Sequence, residues 1–321
     1  MKRTISRITL VVAASLLMPL AAQAQLFRAY LASYGNDANP CTVGAPCRLL
    51  PAAISAVSSG GEIWMLDSAN FNSGTVDIGK NVIIQAIPGQ VGSIVPVATS
   101  PAITIQPNTT VTLRNVAIVT NANNPGTDGI VMTTGSLAVE DSVFEVWGSN
   151  FATPNGVAIK ITGAGFLSVR NTTFRHGYRG IWASGGARVD VTTSKFVDFA
   201  VTLGAGVYAE ATPSGTVTRV AVAHSEFARL YAGFWLEGVT SGGIVTGSLL
   251  GSSVTHANYG VVSENVGGGT TNLAVSGSQL TLSSYGMFQY GTGSVLESLG
   301  NNLVRNNPSN TSGTITIVGG N

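Results

Sequence analysis

The chain has 321 residues, of which 44% are hydrophobic and 10% charged, and its formal net charge is +1. It is apolar enough to bury a core, which excludes a disordered chain. The near-neutral charge and the lack of a Lys/Arg block argue against a nucleic-acid partner, because phosphate backbones are bound by clustered basic residues.

Residues 1–24 have the composition of a secretory signal peptide. Three basic residues flank the start of an apolar stretch from Ile8 to Ala22, and Ala22-Gln23-Ala24 matches a small-residue cleavage site. We expect cleavage before Gln25 and release to the periplasm or the extracellular medium. The apolar residues that follow come in short pieces, so no membrane span is predicted in the mature protein.

Residues 25–60 form an N-terminal segment with a predicted disulfide and a predicted helix. Cys41 and Cys47 are the two cysteines of the chain, and in an oxidising compartment such a pair more often forms a disulfide than a metal site. Leu49 to Val57 has apolar residues on one face and Pro51 near its start, which predicts a short helix. We expect this helix to cap one end of the domain that follows.

Residues 61–321 contain an internal repeat. Its submotif is an apolar residue, then Asn or a similar residue two positions later, then Ser or Thr, then a second apolar residue. The successive rows end 22 to 31 residues apart, at Ile118, Phe144, Phe174, Phe196, Phe227, Val254, Leu280 and, more weakly, Leu303. Each clear row also carries a Gly followed by an apolar residue, so three short strands per row describe one coil of a parallel β-helix. The predicted fold is therefore all-β, with the phenylalanines stacked in the core.

The bend position of the submotif holds Asn, Asp, Thr, His or Gly. Most of these residue types tolerate a left-handed backbone, so we expect a tight bend at this point of every coil. His224 occupies this position in its row and is interpreted as a hydrogen-bonding substitute for Asn rather than as a ligand.

The chain resembles secreted bacterial right-handed parallel β-helix proteins of the pectate-lyase-like superfamily. The resemblance covers residues 27 to 318 and rests on Tyr34-Gly-Asn-Asp-Ala-Asn-Pro-Cys41, Ala45-Pro-Cys47, Gly60-Gly-Glu-Ile63 and the repeated submotif. It implies a right-handed solenoid with three sheets, in which the Gly-apolar segments form the third sheet. It also implies that a ligand groove runs over that third sheet and the loops before it.

Two outward columns are predicted on the third sheet, because side chains alternate between the faces of a strand. The first is an exposed, mainly aromatic column of Trp182, Tyr208, Trp235, Val262 and Phe288. The second, two residues further along each strand, contains Ser184, Glu210, Glu237, Glu264 and Tyr290. Three glutamates in register repel one another unless something offsets their charge.

These columns predict a polysaccharide-binding face. Aromatic rings stack on sugar rings, and carboxylates accept hydrogen bonds from hydroxyl groups or hold Ca²⁺. The expected ligand-binding residues are Trp182, Tyr208, Trp235, Glu210, Glu237 and Glu264. The three glutamates are also the candidate metal ligands, with Ca²⁺ as the candidate ion and no other cofactor implied. The alternative is that both columns are surface decoration, with flanking arginines screening the charge.

Catalysis is a separate hypothesis. Arg229 and His256 stand two residues after the aligned apolar position, and together with Glu237 and Glu264 they supply groups for proton abstraction from a uronic-acid polymer. The chain lacks the Asp-Asp, Gly-His-Gly and Arg-Ile-Lys motifs of polygalacturonases and a clear pectate-lyase calcium cluster. A polysaccharide lyase or glycoside hydrolase therefore stays one alternative, and a structural or adhesion scaffold without a site is the other. The oligomeric state is not predicted.

Overall fold

The computed structural model describes residues 25–95, 100–120, 128–145, 156–199 and 202–319. The predicted signal peptide lies outside these residues. Within them the chain forms one short helix, α1 (Leu50–Ala56), which confirms the helical prediction to within a residue at each end. No helix in the described ranges is long and apolar enough to cross a membrane.

All other regular elements of the described chain are strands. In the N-terminal half they are β1 (Leu26–Leu31), β2 (Val57–Met65), β3 (Ala69–Asn70), β4 (Val76–Ile78), β5 (Val82–Ala86), β6 (Gly92–Ile94), β7 (Ile103–Ile105), β8 (Thr110–Arg114), β9 (Val116–Val119), β10 (Ile130–Met132), β11 (Ser136–Glu140), β12 (Val143–Glu145), β13 (Val157–Ile161), β14 (Phe166–Arg170), β15 (Thr173–Arg175) and β16 (Arg179–Ala183). In the C-terminal half they are β17 (Arg188–Thr192), β18 (Lys195–Phe199), β19 (Ala205–Glu210), β20 (Val217–Ala223), β21 (Glu226–Leu230), β22 (Ala232–Gly238), β23 (Ile244–Leu250), β24 (Ser253–Thr255), β25 (Tyr259–Asn265), β26 (Thr270–Ser276), β27 (Gln279–Thr281), β28 (Tyr285–Tyr290), β29 (Ser294–Ser298), β30 (Leu303–Arg305), β31 (Ser309–Ser312) and β32 (Ile315–Ile317).

These strands form three parallel sheets. The first sheet has the order β1-β2-β5-β8-β11-β14-β17-β20-β23-β26-β29-β32. The second sheet runs from β3 through β6, β9, β12, β15, β18, β21, β24 and β27 to β30, and the third from β4 through β7, β10, β13, β16, β19, β22, β25 and β28 to β31. From β2 to β31 each coil contributes one strand to each sheet in that order, which confirms the predicted parallel β-helix.

The N-terminal segment is part of this solenoid. β1 pairs with β2, so the first sheet begins before residue 61. Leu50, Ala53 and Ile54 of α1 are buried against the first coils, as expected of a cap. Cys41 and Cys47 are disulfide-bonded, with their Cα atoms 4.6 Å apart.

Ladders of identical residues fill the core of the second sheet. Phe144, Phe174, Phe196 and Phe227 occupy the same position in four consecutive coils and are fully buried. Their ring centroids lie 5.0, 4.7 and 4.8 Å apart, and the rings are nearly parallel. This close stacking sets the register from coil to coil.

The bend between the first and second sheets is left-handed in every clear row, as predicted. Its φ angles lie between 47° and 57°, at Asn115, Asp141, Asn171, Thr193, His224, Gly251 and Gly277. His224 therefore takes the backbone conformation that Asn takes elsewhere, which agrees with its interpretation as a bend residue.

The Ser or Thr after this bend satisfies buried backbone groups. In one member of the ladder, the Ser225 hydroxyl donates to the carbonyl of Ala223 at 2.9 Å and accepts the N–H of Ser194 at 3.2 Å. The same pair of bonds recurs at Ser194 and Ser252. The hydroxyls thus complete hydrogen bonding where the strands of successive coils leave the first sheet.

Candidate functional site

The outer face of the third sheet carries both predicted columns in register. Trp182, Tyr208, Trp235, Val262 and Phe288 are neighbours on five consecutive strands. Glu210, Glu237, Glu264 and Tyr290 form the adjacent row. Ser184 lies just beyond the end of β16 and is buried.

The aromatic column is not exposed, which corrects the prediction. Tyr208 is 2% and Trp235 7% exposed. The Tyr208 ring packs edge-on against Trp182 at 5.8 Å and against Trp235 at 5.5 Å. Both buried rings belong to an apolar cluster that is separate from the solenoid core and includes Tyr231 and Tyr259. Side chains that alternate outward can still be buried when large rings on adjacent coils cover one another.

A third outward column contributes a buried cation that is not among the predicted site residues. Arg179 is 6% exposed, and its guanidinium carbon lies 3.3 Å from the centroid of the Tyr208 ring and 4.4 Å from that of Trp182. Ala205 is its neighbour in register on the next coil. The sequence signal for this arrangement is an alanine in register with an arginine on the preceding coil. The small side chain of Ala205 leaves space for the Arg179 guanidinium to lie against the Tyr208 ring.

The Tyr208 hydroxyl links two members of the glutamate row. It hydrogen-bonds to the carboxylate of Glu237 and lies 3.0 Å from that of Glu210. A phenol has one hydroxyl proton, and here the two carboxylates share that proton. The shared hydrogen bond reduces the repulsion between the two carboxylates. Burial raises the pKa of Tyr208, the charge of Arg179 opposes this rise, and the two nearby glutamates raise the pKa further, so the hydroxyl stays a donor. This contact offsets the repulsion that the sequence left unexplained.

Glu264 has a different environment. Burial raises the pKa of its carboxyl, and the charge of Glu237 raises it further. The Trp235 indole opposes this rise, although its N–H forms no hydrogen bond of standard geometry in the described structure. The Glu264 carboxyl therefore holds a proton more readily than a glutamate free in water does.

No metal centre is found among the described residues, where no three His, Cys, Asp or Glu side chains are placed to hold an ion. Glu210, Glu237 and Glu264 lie in a row along the sheet, and two of them contact the same tyrosine. The role of these three glutamates as calcium ligands stays a prediction.

Arg229 and His256 occupy a second left-handed bend, between the second and third sheets. The bend residues have φ angles of 54° to 65° and are His176, Asp198, Arg229, His256, Leu282 and Asn306. The Arg229 guanidinium donates to both oxygens of Asp198, at 2.5 and 3.0 Å, and lowers the pKa of that carboxyl. No hydrogen bond or ion pair joins Arg229 or His256 to Glu237 or Glu264 in the described part of the chain. These four residues are thus not joined by hydrogen bonds or ion pairs, and their catalytic role stays a prediction.

A pocket opens beside the buried rings, between the coils of Trp235 and Phe288. It has a volume of about 150 Å³. Its walls are Leu203, Tyr231, Trp235, Tyr259, Val262, Glu264 and Phe288. We refer to it as the aromatic pocket. It combines four aromatic side chains with one carboxyl group, and the indole N–H of Trp235 is buried without a partner of standard geometry.

The three parallel sheets, wound coil by coil, make the chain a β-helix protein. The pocket lies on the outer face of its third sheet. The chain belongs to the family described as "right handed beta helix region", whose sequence profile matches residues 128–308. No curated protein sequence matches the chain.

Two solved structures are similar to the chain. One is XylC in complex with xylose, with a TM-score of 0.57 and 10% sequence identity over 86% of this chain and 67% of that one. The other is the pectate lyase Pel9A, with a TM-score of 0.57 and 14% identity over 90% of this chain and 77% of that one. At these identities the likeness shows the fold alone.

Proposed function

We propose that the protein is an exported β-helix protein that binds a polysaccharide through the third-sheet face. The observation that carries the proposal is the aromatic pocket, with its four rings and single carboxyl group. Export is supported by the signal-like residues 1–24 and by the Cys41–Cys47 disulfide, since disulfides persist in oxidising compartments.

The pocket has the chemistry of a sugar subsite. Aromatic faces pack against the apolar C–H groups of a sugar ring, Glu264 accepts from a hydroxyl, and the Trp235 N–H donates to one. Its volume of about 150 Å³ equals the share of about five water molecules in liquid, which suits a single ring. Tyr285 stacks on Tyr259 at 5.1 Å and extends the aromatic surface toward the next coil, where a second ring of a chain would lie.

The glutamate row favours neutral sugars at this face. Glu210, Glu237 and Glu264 present three carboxyl groups in register, and a uronic acid would bring a further negative charge against them. Of the two similar structures, XylC was solved with xylose, a neutral sugar, and Pel9A is a pectate lyase. We therefore place xylan, galactan and glucomannan ahead of polygalacturonate as ligands of this face.

Affinity electrophoresis against these four polymers tests the proposal. Tyr259→Ala removes one wall of the pocket and should weaken binding of the preferred neutral polymer about tenfold. Tyr34→Ala is the matched control, because Tyr34 is 73% exposed on the N-terminal segment. Binding that is equal in the wild type and both variants would contradict the proposal, and the absence of binding to any glycan would favour the scaffold alternative.

A glycoside hydrolase is the second candidate function, and the environment of Glu264 favours it. A carboxyl group whose pKa is raised by burial and by a neighbouring carboxylate has the properties of a general acid. Reducing-end release from the bound polymer would reveal the activity. Glu264→Gln should then lower the rate at least about 100-fold while the polymer still binds.

A further inference from the structure

The outer face of the first sheet carries a groove that is separate from the aromatic pocket. Its volume is about 670 Å³. The outward side chains that line it are Phe166, Arg188, Asp190, Arg219, Thr246 and Ser248. They come from the consecutive strands β14, β17, β20 and β23, so the groove runs along the solenoid axis. We call it the first-sheet groove.

The register explains the shape of this groove. Phe166, Arg188, Arg219 and Thr246 form one outward column of mostly long side chains. The adjacent column is mostly short and contains Ser168, Asp190, Ala221 and Ser248. A row of long side chains beside a row of short ones produces a trough whose wall carries one aromatic ring and two guanidinium groups.

Arg188 and Arg219 are direct neighbours in register, with backbones about 4.8 Å apart. Like charges opposite one another are unfavourable in a sheet. No described carboxylate forms an ion pair with either arginine, and Arg219 donates only to the carbonyl of Val217, at 3.3 Å. On the same face, by contrast, Arg114 and Arg170 both pair with Glu140, at 2.6 and 3.4 Å. Two adjacent cations in the groove thus lack the carboxylate that their neighbours have.

We propose that the first-sheet groove binds a polysaccharide of acidic sugars. Arg188 and Arg219 pair with a sugar carboxylate, since the guanidinium fork matches carboxylate geometry, and Phe166 packs against a ring in the same column. Asp190, Thr246 and Ser248 exchange hydrogen bonds with hydroxyl groups. This site lies on a different sheet from the aromatic pocket, so the proposal stands apart from the proposed function.

A polymer is favoured over a single acidic sugar. An ion pair at an exposed site contributes little by itself, because water and salt screen it. A polysaccharide chain that lies along the groove contacts Phe166 and both arginines at once. After the first contact has formed, each further contact is intramolecular and adds to the affinity. Nucleic acid is a poorer fit, because two arginines neutralise few phosphates and the groove offers a single aromatic ring for stacking.

Isothermal titration at low ionic strength with polygalacturonate tests the groove. Arg188→Gln and Arg219→Gln should each weaken binding about tenfold, because each removes a charge-assisted hydrogen bond to the carboxylate. Arg305→Gln is the charge-matched control on exposed strand β30 and should bind within about twofold of the wild type. The fully methyl-esterified polymer, which keeps the backbone and loses the charge, should bind more weakly than polygalacturonate.

Each of the following outcomes would overturn the proposal. These are no binding of polygalacturonate to the wild type, equal losses in Arg305→Gln, equal binding of the esterified polymer, and equally tight binding of a single-stranded oligonucleotide. Tyr259→Ala separates the two faces and should leave polygalacturonate binding intact. If Tyr259→Ala abolishes that binding and Arg188→Gln does not, the acidic ligand lies on the third sheet and the groove proposal fails while the proposed function stands.

Discussion

Individual side chains on the third sheet differ most from what the sequence predicts. Alternation along the strands places Trp182, Tyr208 and Trp235 on the outer face, and the structure has them there. The burial of Tyr208 and Trp235 depends on how far each ring reaches over the next coil and on Arg179 lying against Tyr208, and a period-two pattern contains neither piece of information. The sequence thus predicts which face a residue occupies but not what covers it.

The pH dependence of stability should report on Glu264. Because the folded-state pKa of its carboxyl is raised, protonation favours the folded protein, and this contribution is present below the unfolded pKa and lost as pH rises through the folded value. Glu264→Gln mimics the protonated group. We expect a higher melting temperature than the wild type at pH 7, and a difference that shrinks as the pH falls through the raised folded value and is lost once the pH is below the unfolded pKa of about 4.3.

The matched variant for this experiment is Glu237→Gln. Glu237 accepts a hydrogen bond from Tyr208, so its replacement removes repulsion and weakens a favourable contact at once. It should stabilise the protein less at pH 7 than Glu264→Gln does. If Glu264→Gln has the wild-type melting temperature at pH 7 as well as at about pH 4, burial of the charged Glu264 carboxylate does not destabilise the protein.

At the scale of the element, the repeated submotif predicts one bend and misses the other. Asn, Asp and Gly mark the bend before the second sheet, because they adopt a left-handed backbone at low cost. The bend after that sheet is also left-handed, but its residues are mixed: Asn, Asp and His occur there beside Arg229 and Leu282, whose types share no such preference. Because Arg229 and Leu282 interrupt the pattern, composition alone does not reveal this bend, and the catalytic roles of Arg229 and His256 stay predictions.

The hydroxyl ladder should contribute measurably to stability. Ser225→Ala leaves the buried N–H of Ser194 without its acceptor, and we expect the free energy of unfolding to fall by about 1–2 kcal/mol. Urea unfolding followed by circular dichroism measures the change. Ser248→Ala is the control, because Ser248 faces outward on the first sheet and makes no contact in the ladder; equal losses in the two variants would remove the special role of the ladder.

On the scale of the whole molecule, the solenoid depends on closure of its N-terminal end. α1 covers the first coils with Leu50, Ala53 and Ile54, and the backbone N–H of Leu50 donates to the carbonyl of Phe71 at 2.7 Å. The sequence predicted this cap from one amphipathic stretch, because a stack of coils exposes apolar side chains wherever it stops.

Leu50→Ala tests the cap. The loss of a fully buried leucine should lower the free energy of unfolding by about 2–4 kcal/mol in urea titrations. The half-exposed Leu303 is the comparison, and Leu303→Ala should change it by less than about 0.5 kcal/mol. Similar midpoints for the two variants would mean that α1 only rests on the surface of the stack.

Because all coils share one register, a whole coil could be removed or duplicated without shifting the alignment of the others. Every coil supplies one residue to each column, so excising the segment between equivalent positions, such as Phe227 and Val254, would rejoin the chain with the remaining columns still aligned. That excision would place Glu210 next to Glu264 and shorten the rod by about 4.8 Å. Duplication would do the reverse, so the length of both outer faces can change without redesign of the core.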